Sequence, residues 1–223
     1  MLEIAPMKIL LITATAVEIE SFKARAAVKA TYNAKIEYLV SGVGSVQMTY
    51  ALTRRLRTNS PDFIVGAGIG GSFSRDITLG SVLQVRSEVF ADLGVQESRG
   101  WTDLFELGLS GKNDAPFTNG KLQNPDPPML ISAITAGGCT VNQVTTDPSR
   151  IDTIQKLYAP QVESMEGAAL HFVCINEGIP FVHLRAISNL VGERDKQRWK
   201  INEAIENLGI AIDETVHTLL SQP

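Results

Sequence analysis

Phe63-Ile64-Val65-Gly66-Ala67-Gly68-Ile69-Gly70-Gly71 sets a short aromatic and β-branched run directly against four glycines within six residues. The run reads as a strand buried on both faces. The glycines predict a sharp turn at its exit, where backbone amides can approach an oxygen-rich ligand. The alternative is a turn that only permits tight packing. Gly66-x-Gly68-x-Gly70-Gly71 misses the G-x-G-x-x-G register of dinucleotide sites, and no helix with an acidic ribose partner follows at the usual distance.

Working outward, Lys8 to Thr13 is a second buried strand, followed by helix over Glu18 to Ala27. Ala34 to Val40 alternates as a strand, and Ser41-Gly42-Val43-Gly44 leads into a helix ending near Arg57. Val82 to Val89, Met129 to Thr135 and Cys139 to Thr145 read as further extended segments. Asp147-Pro148 is an N-cap and first-turn pair for a helix carrying Ile151, Ile154 and Leu157. Val162 to Met165 is short and extended, Gly167 to Glu177 helical, and Phe181 to Ile187 the last buried strand. Ile201, Ile205, Leu208, Ile212, Val216 and Leu219 then form one core-facing stripe. Strands and helices alternate without repeats or a linker, which predicts a single α/β domain over 1–223, three layers around a central mixed sheet. Residues 92 to 128 are a loop-rich excursion rich in Gly, Asn, Asp and Pro.

The 223 residues, 44% hydrophobic and 20% charged, suffice for one substantial core. Twenty Lys+Arg against 24 Asp+Glu give a net charge of −4, which leaves no electrostatic footprint for a nucleic acid polymer. The first apolar run, Ile9 to Ile12, is too short for a signal peptide, and no segment approaches the ~18 apolar residues of a membrane span. The two cysteines, Cys139 and Cys174, are too few for a disulfide framework and read as small core residues, so a soluble, cytoplasmic protein without membrane association is expected.

Ligands of such sheets bind beyond the carboxyl ends of the strands, so the strand exits carry the functional candidates. Glu18 follows the first strand and can serve as general base towards water, or be an ordinary first-turn acid favoured by the helix dipole. Glu163 and Glu166 lie three apart in Val162-Glu163-Ser164-Met165-Glu166-Gly167 and can accept hydrogen bonds from vicinal hydroxyls, or cap the helix that starts there. Asn189 ends Arg185-Ala186-Ile187-Ser188-Asn189, where a turn-forming Asn is the default; Arg185 reads as an internal salt-bridge partner. His171, His183 and His217 are dispersed, with no ligand-spaced partners, so no metal and no histidine catalysis is expected.

These motifs together, with Ala67-Gly68-Ile69-Gly70-Gly71 and Glu163-Ser164-Met165-Glu166-Gly167-Ala168-Ala169, resemble the purine nucleoside phosphorylase and methylthioadenosine/S-adenosylhomocysteine nucleosidase superfamily over nearly the whole chain, most weakly over 92–128. Within it, Arg185 to Asp195 is most similar to the futalosine hydrolases, which release hypoxanthine from futalosine in menaquinone biosynthesis. The resemblance implies a nucleoside phosphorylase-like fold, a small-molecule nucleoside as ligand, no cofactor, and a homodimer or higher homo-oligomer. It implies that Glu18 activates water, Met165 and Glu166 contact ribose, and Gly68, Ile69 and Gly70 contact substrate. Asn189 stands where adenine-specific members carry Asp. An Asn amide can donate to a 6-oxo group and accept from N7–H, so hypoxanthine or guanine is expected over adenine. Futalosine also has a carboxylate-bearing aromatic arm, for which Arg194 is the chosen cation among Arg99, Arg194, Lys196 and Arg198; Trp101 or Phe105 could serve across an interface. Rival readings are a methylthioadenosine/S-adenosylhomocysteine nucleosidase, a phosphorylase with Arg75 near an anion site, and a non-catalytic nucleoside-binding protein.

Overall fold

The structure is a computed structural model that describes residues 6–29, 34–98, 100–125, 127–128, 130 and 132–221. In chain order its strands are β1 (Met7–Thr13), β2 (Ala34–Val40), β3 (Phe63–Ser72), β4 (Val82–Phe90), β5 (Gly94–Glu97), β6 (Gly100–Asp103), β7 (Leu122–Gln123), β8 (Ile134–Thr140), β9 (Val162–Ser164) and β10 (Phe181–Leu190). The helices are α1 (Glu20–Lys29), α2 (Ser45–Leu56), α3 (Pro148–Tyr158), α4 (Gly167–Glu177) and α5 (Ile201–Leu220).

The main sheet is mixed, with order β10-β4-β8-β9-β3-β1-β2, and β7 adds to β4. Strand β3 also pairs with β10, so β3, β10, β4, β8 and β9 close into a ring from which β1 and β2 extend. Strand alternation divides the core. Ile9, Leu11, Phe63, Val65 and Ala67 meet Leu208, Ala211, Ile212 and Val216 of α5. Leu10, Ile12 and Ile64 face the other way, onto Met48 and Leu52 of α2 and Leu170, Val173 and Cys174 of α4. The stripe predicted on α5 meets the sheet from Leu208 to Leu219, while Ile201 and Ile205 are half-buried.

Several boundaries differ from the sequence reading, among them the end of the last strand, which runs on past Ile187 to Leu190 and takes in Asn189. Glycines 66 to 71 are not a turn but the second half of β3, because β10 pairs with every one of them. Between β7 and β8 the chain at Pro128 and Leu130 is held by the side-chain amide of Gln84 instead of a strand ladder, so the strand begins only at Ile134 and ends at Thr140. Met129 itself lies outside the described residues. The first helix opens with a 3-10 turn over Ala16–Ile19 before α1. The excursion contains the β5–β6 hairpin and β7. No helix among the described residues is long and apolar enough to cross a membrane.

Candidate active site

The carboxyl ends of β1, β3, β9 and β10 surround a cavity of about 270 Å³ lined by Glu18, Ile69, Gly70, Gly71, Glu163, Met165, Glu166, Ser188, Asn189, Arg194 and Trp199, among others. A more voluminous groove of about 890 Å³ along α2, between Ser45 and Thr58, has no carboxylate among its lining residues and therefore no general base.

Glu18 is buried, not a solvated first-turn acid. Its Oε2 accepts from the Thr15 N–H at 2.8 Å and the Thr15 hydroxyl at 3.0 Å, and its Oε1 accepts from the Ile69 N–H at 3.1 Å. The 3-10 turn and β3 thus fix both oxygens at the cavity wall. Gly68 does not line the cavity; a Cβ there would lie 2.9 Å from Glu18 Oε1 and 2.2 Å from Arg185 Nη1. Its missing side chain is the space these two groups occupy, so Gly68 makes room for Glu18 and Arg185.

Glu166 is the residue before α4, yet its side chain makes no cap. Oε1 instead accepts from the Gly44 N–H at 3.0 Å, and Oε2 pairs with Arg185 Nη2 at 3.2 Å. Met165 is half-buried beside it, and its carbonyl accepts from the Ser45 hydroxyl at 3.2 Å. Asn189 follows an irregularity in the β10 pairing between Ile187 and Asn189. Its Nδ2 donates to the Leu190 carbonyl at 2.9 Å, and the Ser188 hydroxyl donates to Oδ1 at 2.7 Å. A carbonyl only accepts, which fixes the amide orientation and leaves one Nδ2–H and one Oδ1 lone pair for a ligand.

Arg194 is exposed at the rim, its guanidinium carbon 5.7 Å from the centre of the Trp199 ring. Arg198 pairs with Glu193, and neither it nor Lys196 lines the cavity. Arg75 is exposed and also outside it, while Arg99 lies outside the described residues. Trp101 donates to the Tyr158 hydroxyl and Phe105 packs edge-on against Phe117, both away from the cavity.

Sequence spacing concealed one constellation. His171 and His183, twelve residues apart, meet at 3.2 Å below the site. Arg185 Nε donates to His183 Nε2 at 2.8 Å, and His171 Nδ1 lies 3.2 Å from the Leu122 carbonyl. A guanidinium only donates and a carbonyl only accepts, so both imidazoles are neutral and each carries its proton on Nδ1. Burial drives His171 down to about 3 and His183 well below its usual value. Glu88 Oε1 sits 3.7 Å from His183 Nδ1 without a hydrogen-bond partner, and burial pushes Glu88 up to about 8. The signal in the sequence was the alternation of His183 and Arg185 on one face of β10. No group of three metal-ligating side chains occurs among the described residues.

The family model described as phosphorylase superfamily matches residues 8–220. A futalosine hydrolase of Thermus thermophilus is 29% identical over 182 residues, 78% of each chain. A 5'-methylthioadenosine/S-adenosylhomocysteine nucleosidase of Marinomonas is 25% identical over 185 residues, 79% of this chain and 78% of that one. Among solved structures, futalosine hydrolase of Helicobacter pylori superimposes with a TM-score of 0.77 at 16% identity, covering 95% of this chain and 97% of that one.

Proposed function

This chain belongs to the phosphorylase superfamily, and from that premise we propose that it hydrolyses the N-glycosidic bond of futalosine, releasing hypoxanthine and dehypoxanthine futalosine in menaquinone biosynthesis. Nucleoside N-glycosidic hydrolysis is the chemistry named by both groups of relatives, and futalosine hydrolases at 28–29% identity support the narrower substrate. The observation that carries the reading is that Glu18, Glu166 and Asn189, two carboxylates and an amide, line one cavity.

Cleavage passes through an oxocarbenium-like state, with positive charge growing on the sugar and negative charge on the departing purine. Glu18, held by Ile69 and Thr15, takes a proton from the attacking water. Glu166, anchored by Gly44 and Arg185, accepts from the ribose hydroxyls, with Met165 against the sugar. A proton from solvent neutralises the departing base at N7, and Asn189 steadies it by donating to O6 and accepting from that N7–H. Arg194 at the rim pairs with the carboxylate of the substrate arm.

The test is a nucleoside panel of futalosine, inosine and methylthioadenosine, with and without phosphate, followed by chromatography of the released base. Hypoxanthine from futalosine without phosphate is the expected result. Strict phosphate dependence overturns hydrolysis in favour of phosphorolysis. A preference for methylthioadenosine overturns the role given to Asn189, and tight nucleoside binding without turnover makes the protein a binder.

A further inference from the structure

Glu88 of β4 is fully buried, and two glycines leave the room it occupies. A Cβ at Gly138 would lie 2.4 Å from its Oε1, and one at Gly167 would lie 2.0 Å from that oxygen and 2.7 Å from His183 Cε1. No side chain therefore keeps the Glu88 carboxyl group and the His183 ring apart. Gly167 opens α4 and directly follows Glu166, so Glu88 is lodged beside the acid that faces the cavity.

Two routes run from Glu88 to Glu166. The Thr140 hydroxyl donates to Glu88 Oε2 at 3.0 Å and accepts from the Ala168 N–H at 2.7 Å, which ties the carboxyl group to the first turn of α4. On the other side, Glu88 Oε1 lies 3.7 Å from His183 Nδ1, while Nε2 of that ring accepts from Arg185, whose guanidinium pairs with Glu166. His183 Nδ1 carries the ring proton and has a second neighbour, His171 Nε2, at 3.2 Å. One N–H thus stands between two acceptors, a neutral imidazole and a carboxyl group.

Charge decides between them. With Glu88 neutral the set has a single arrangement, the N–H on His171. A carboxylate forms a hydrogen bond roughly twice as strong, and a rotation of the imidazole brings Nδ1 to Oε1. Nε2 turns with the ring, Arg185 follows Nε2, and the new anion also draws the guanidinium away from Glu166. We propose that Glu88 is a positioning residue for the sugar site: neutral, it leaves Arg185 on Glu166, and ionised, it takes the His183 N–H and slackens the hold on Glu166. This deepens the nucleosidase reading above and rests on it.

Burial pushes Glu88 up to about 8, against the Arg185 charge, the Thr140 hydroxyl and the Val89 N–H, and the charge of Glu166 adds to the rise. The other titratable groups around it are His183 on β10, His171 on α4 and Cys139 on β8. Burial keeps both imidazoles neutral and pushes the thiol well up. Among these groups Glu88 is the one whose charge changes just above neutral pH, so the sugar site loosens on the alkaline side.

The experiment follows the imidazole ¹⁵N resonances of the three histidines in the ligand-free protein, together with KM for inosine, from neutral to mildly alkaline pH in wild type and in Glu88→Gln. The expected wild-type result is a buried Nδ1 resonance that moves while its ring stays neutral, and a KM that rises roughly 10-fold relative to the variant, the weakening of one hydrogen bond to a charged group. The N1–H of inosine titrates alike in both proteins, so the KM ratio isolates Glu88. Glu88→Gln keeps an acceptor for Thr140 but takes no charge, and its buried imidazole resonances stay flat. Should it fail to fold, Glu88→Leu, uncharged and of similar volume, takes its place. A wild-type spectrum without the shift overturns the proposal irrespective of either variant, and so does a KM ratio that is constant with pH. Without turnover the hydrolase reading falls, and calorimetric dissociation constants for inosine replace KM with the same two outcomes for Glu88. A protein that binds no inosine overturns both.

Discussion

Arg185 Nε donates to His183 Nε2 at 2.8 Å inside the sheet, and the same guanidinium pairs through Nη2 with Glu166 at 3.2 Å. Two neutral imidazoles in series, ending on the Leu122 carbonyl, set the plane of Arg185 and through it the position of a carboxylate in the cavity. Buried groups held this way have one arrangement, because each donor faces an acceptor.

Replacing His183 by Ala leaves the Arg185 Nε–H unsatisfied and frees the guanidinium to move. Turnover is expected to fall roughly 100-fold with a smaller change in KM, and His183→Gln, whose amide oxygen can accept the same hydrogen, is expected to restore part of it. Steady-state kinetics of the pair check this; equal losses in both variants would reduce His183 to packing.

Glu88, raised to about 8 from a usual 4.5, holds a proton in the folded state that the unfolded chain has released. Its stabilisation is complete below about 4.5 and is lost as pH rises through about 8. His171, lowered to about 3 from 6.5, acts oppositely, costing stability as pH falls below 6.5, and His183 does the same. The stability curve should therefore decline between pH 6.5 and 8 with a slope approaching ~1.4 kcal/mol per unit. Glu88→Gln should flatten that limb in denaturant titrations; an identical decline in the variant removes Glu88 as its source.

Glu18→Gln puts an amide hydrogen against a donor at Ile69 or Thr15 and removes the base. Turnover should fall by roughly 10²–10⁴, while the dissociation constant for hypoxanthine changes little. Single-turnover kinetics beside calorimetry separate the two, and near-normal turnover would end the general-base assignment.

Asn189→Asp replaces the free Nδ2–H by an acceptor. The inosine-to-adenosine ratio of kcat/KM should drop at least ~100-fold, since a buried polar mismatch discriminates strongly. A ratio within a factor of a few of the wild type contradicts the role of Asn189.

Gly68→Ala forces a methyl group to 2.2 Å from Arg185 Nη1 and 2.9 Å from Glu18 Oε1. Both groups must shift, so turnover should fall more than ~100-fold although residue 68 does not line the cavity. Activity near that of the wild type would show that neither position is constrained by β3.

Much of the architecture was legible in one dimension. The β-branched runs at Ile9 to Ile12 and Phe63 to Val65, the stripe on α5 and the Asp147-Pro148 start of α3 are local patterns, and burial follows periodicity wherever one face meets the core. Glu18, Glu166 and Asn189 could be picked out because strand exits are where such sheets bind ligands. The extent of β3 was not legible. Four glycines resemble a turn until a neighbouring strand pairs with them, and β10 is more than one hundred residues away.

From its amino acids alone, this chain declared an α/β architecture and the residue types of a nucleosidase, since propensity, periodicity and motif order are properties of neighbours in sequence. Which oxygen of Glu18 meets Ile69, that His171 and His183 touch, and that Gly71 lies between Glu163 and Asn189 were decided only when distant strands came into register. Hydrogen bonds act over about 3 Å, and nothing in the order of residues states which groups, far apart along the chain, will come that close.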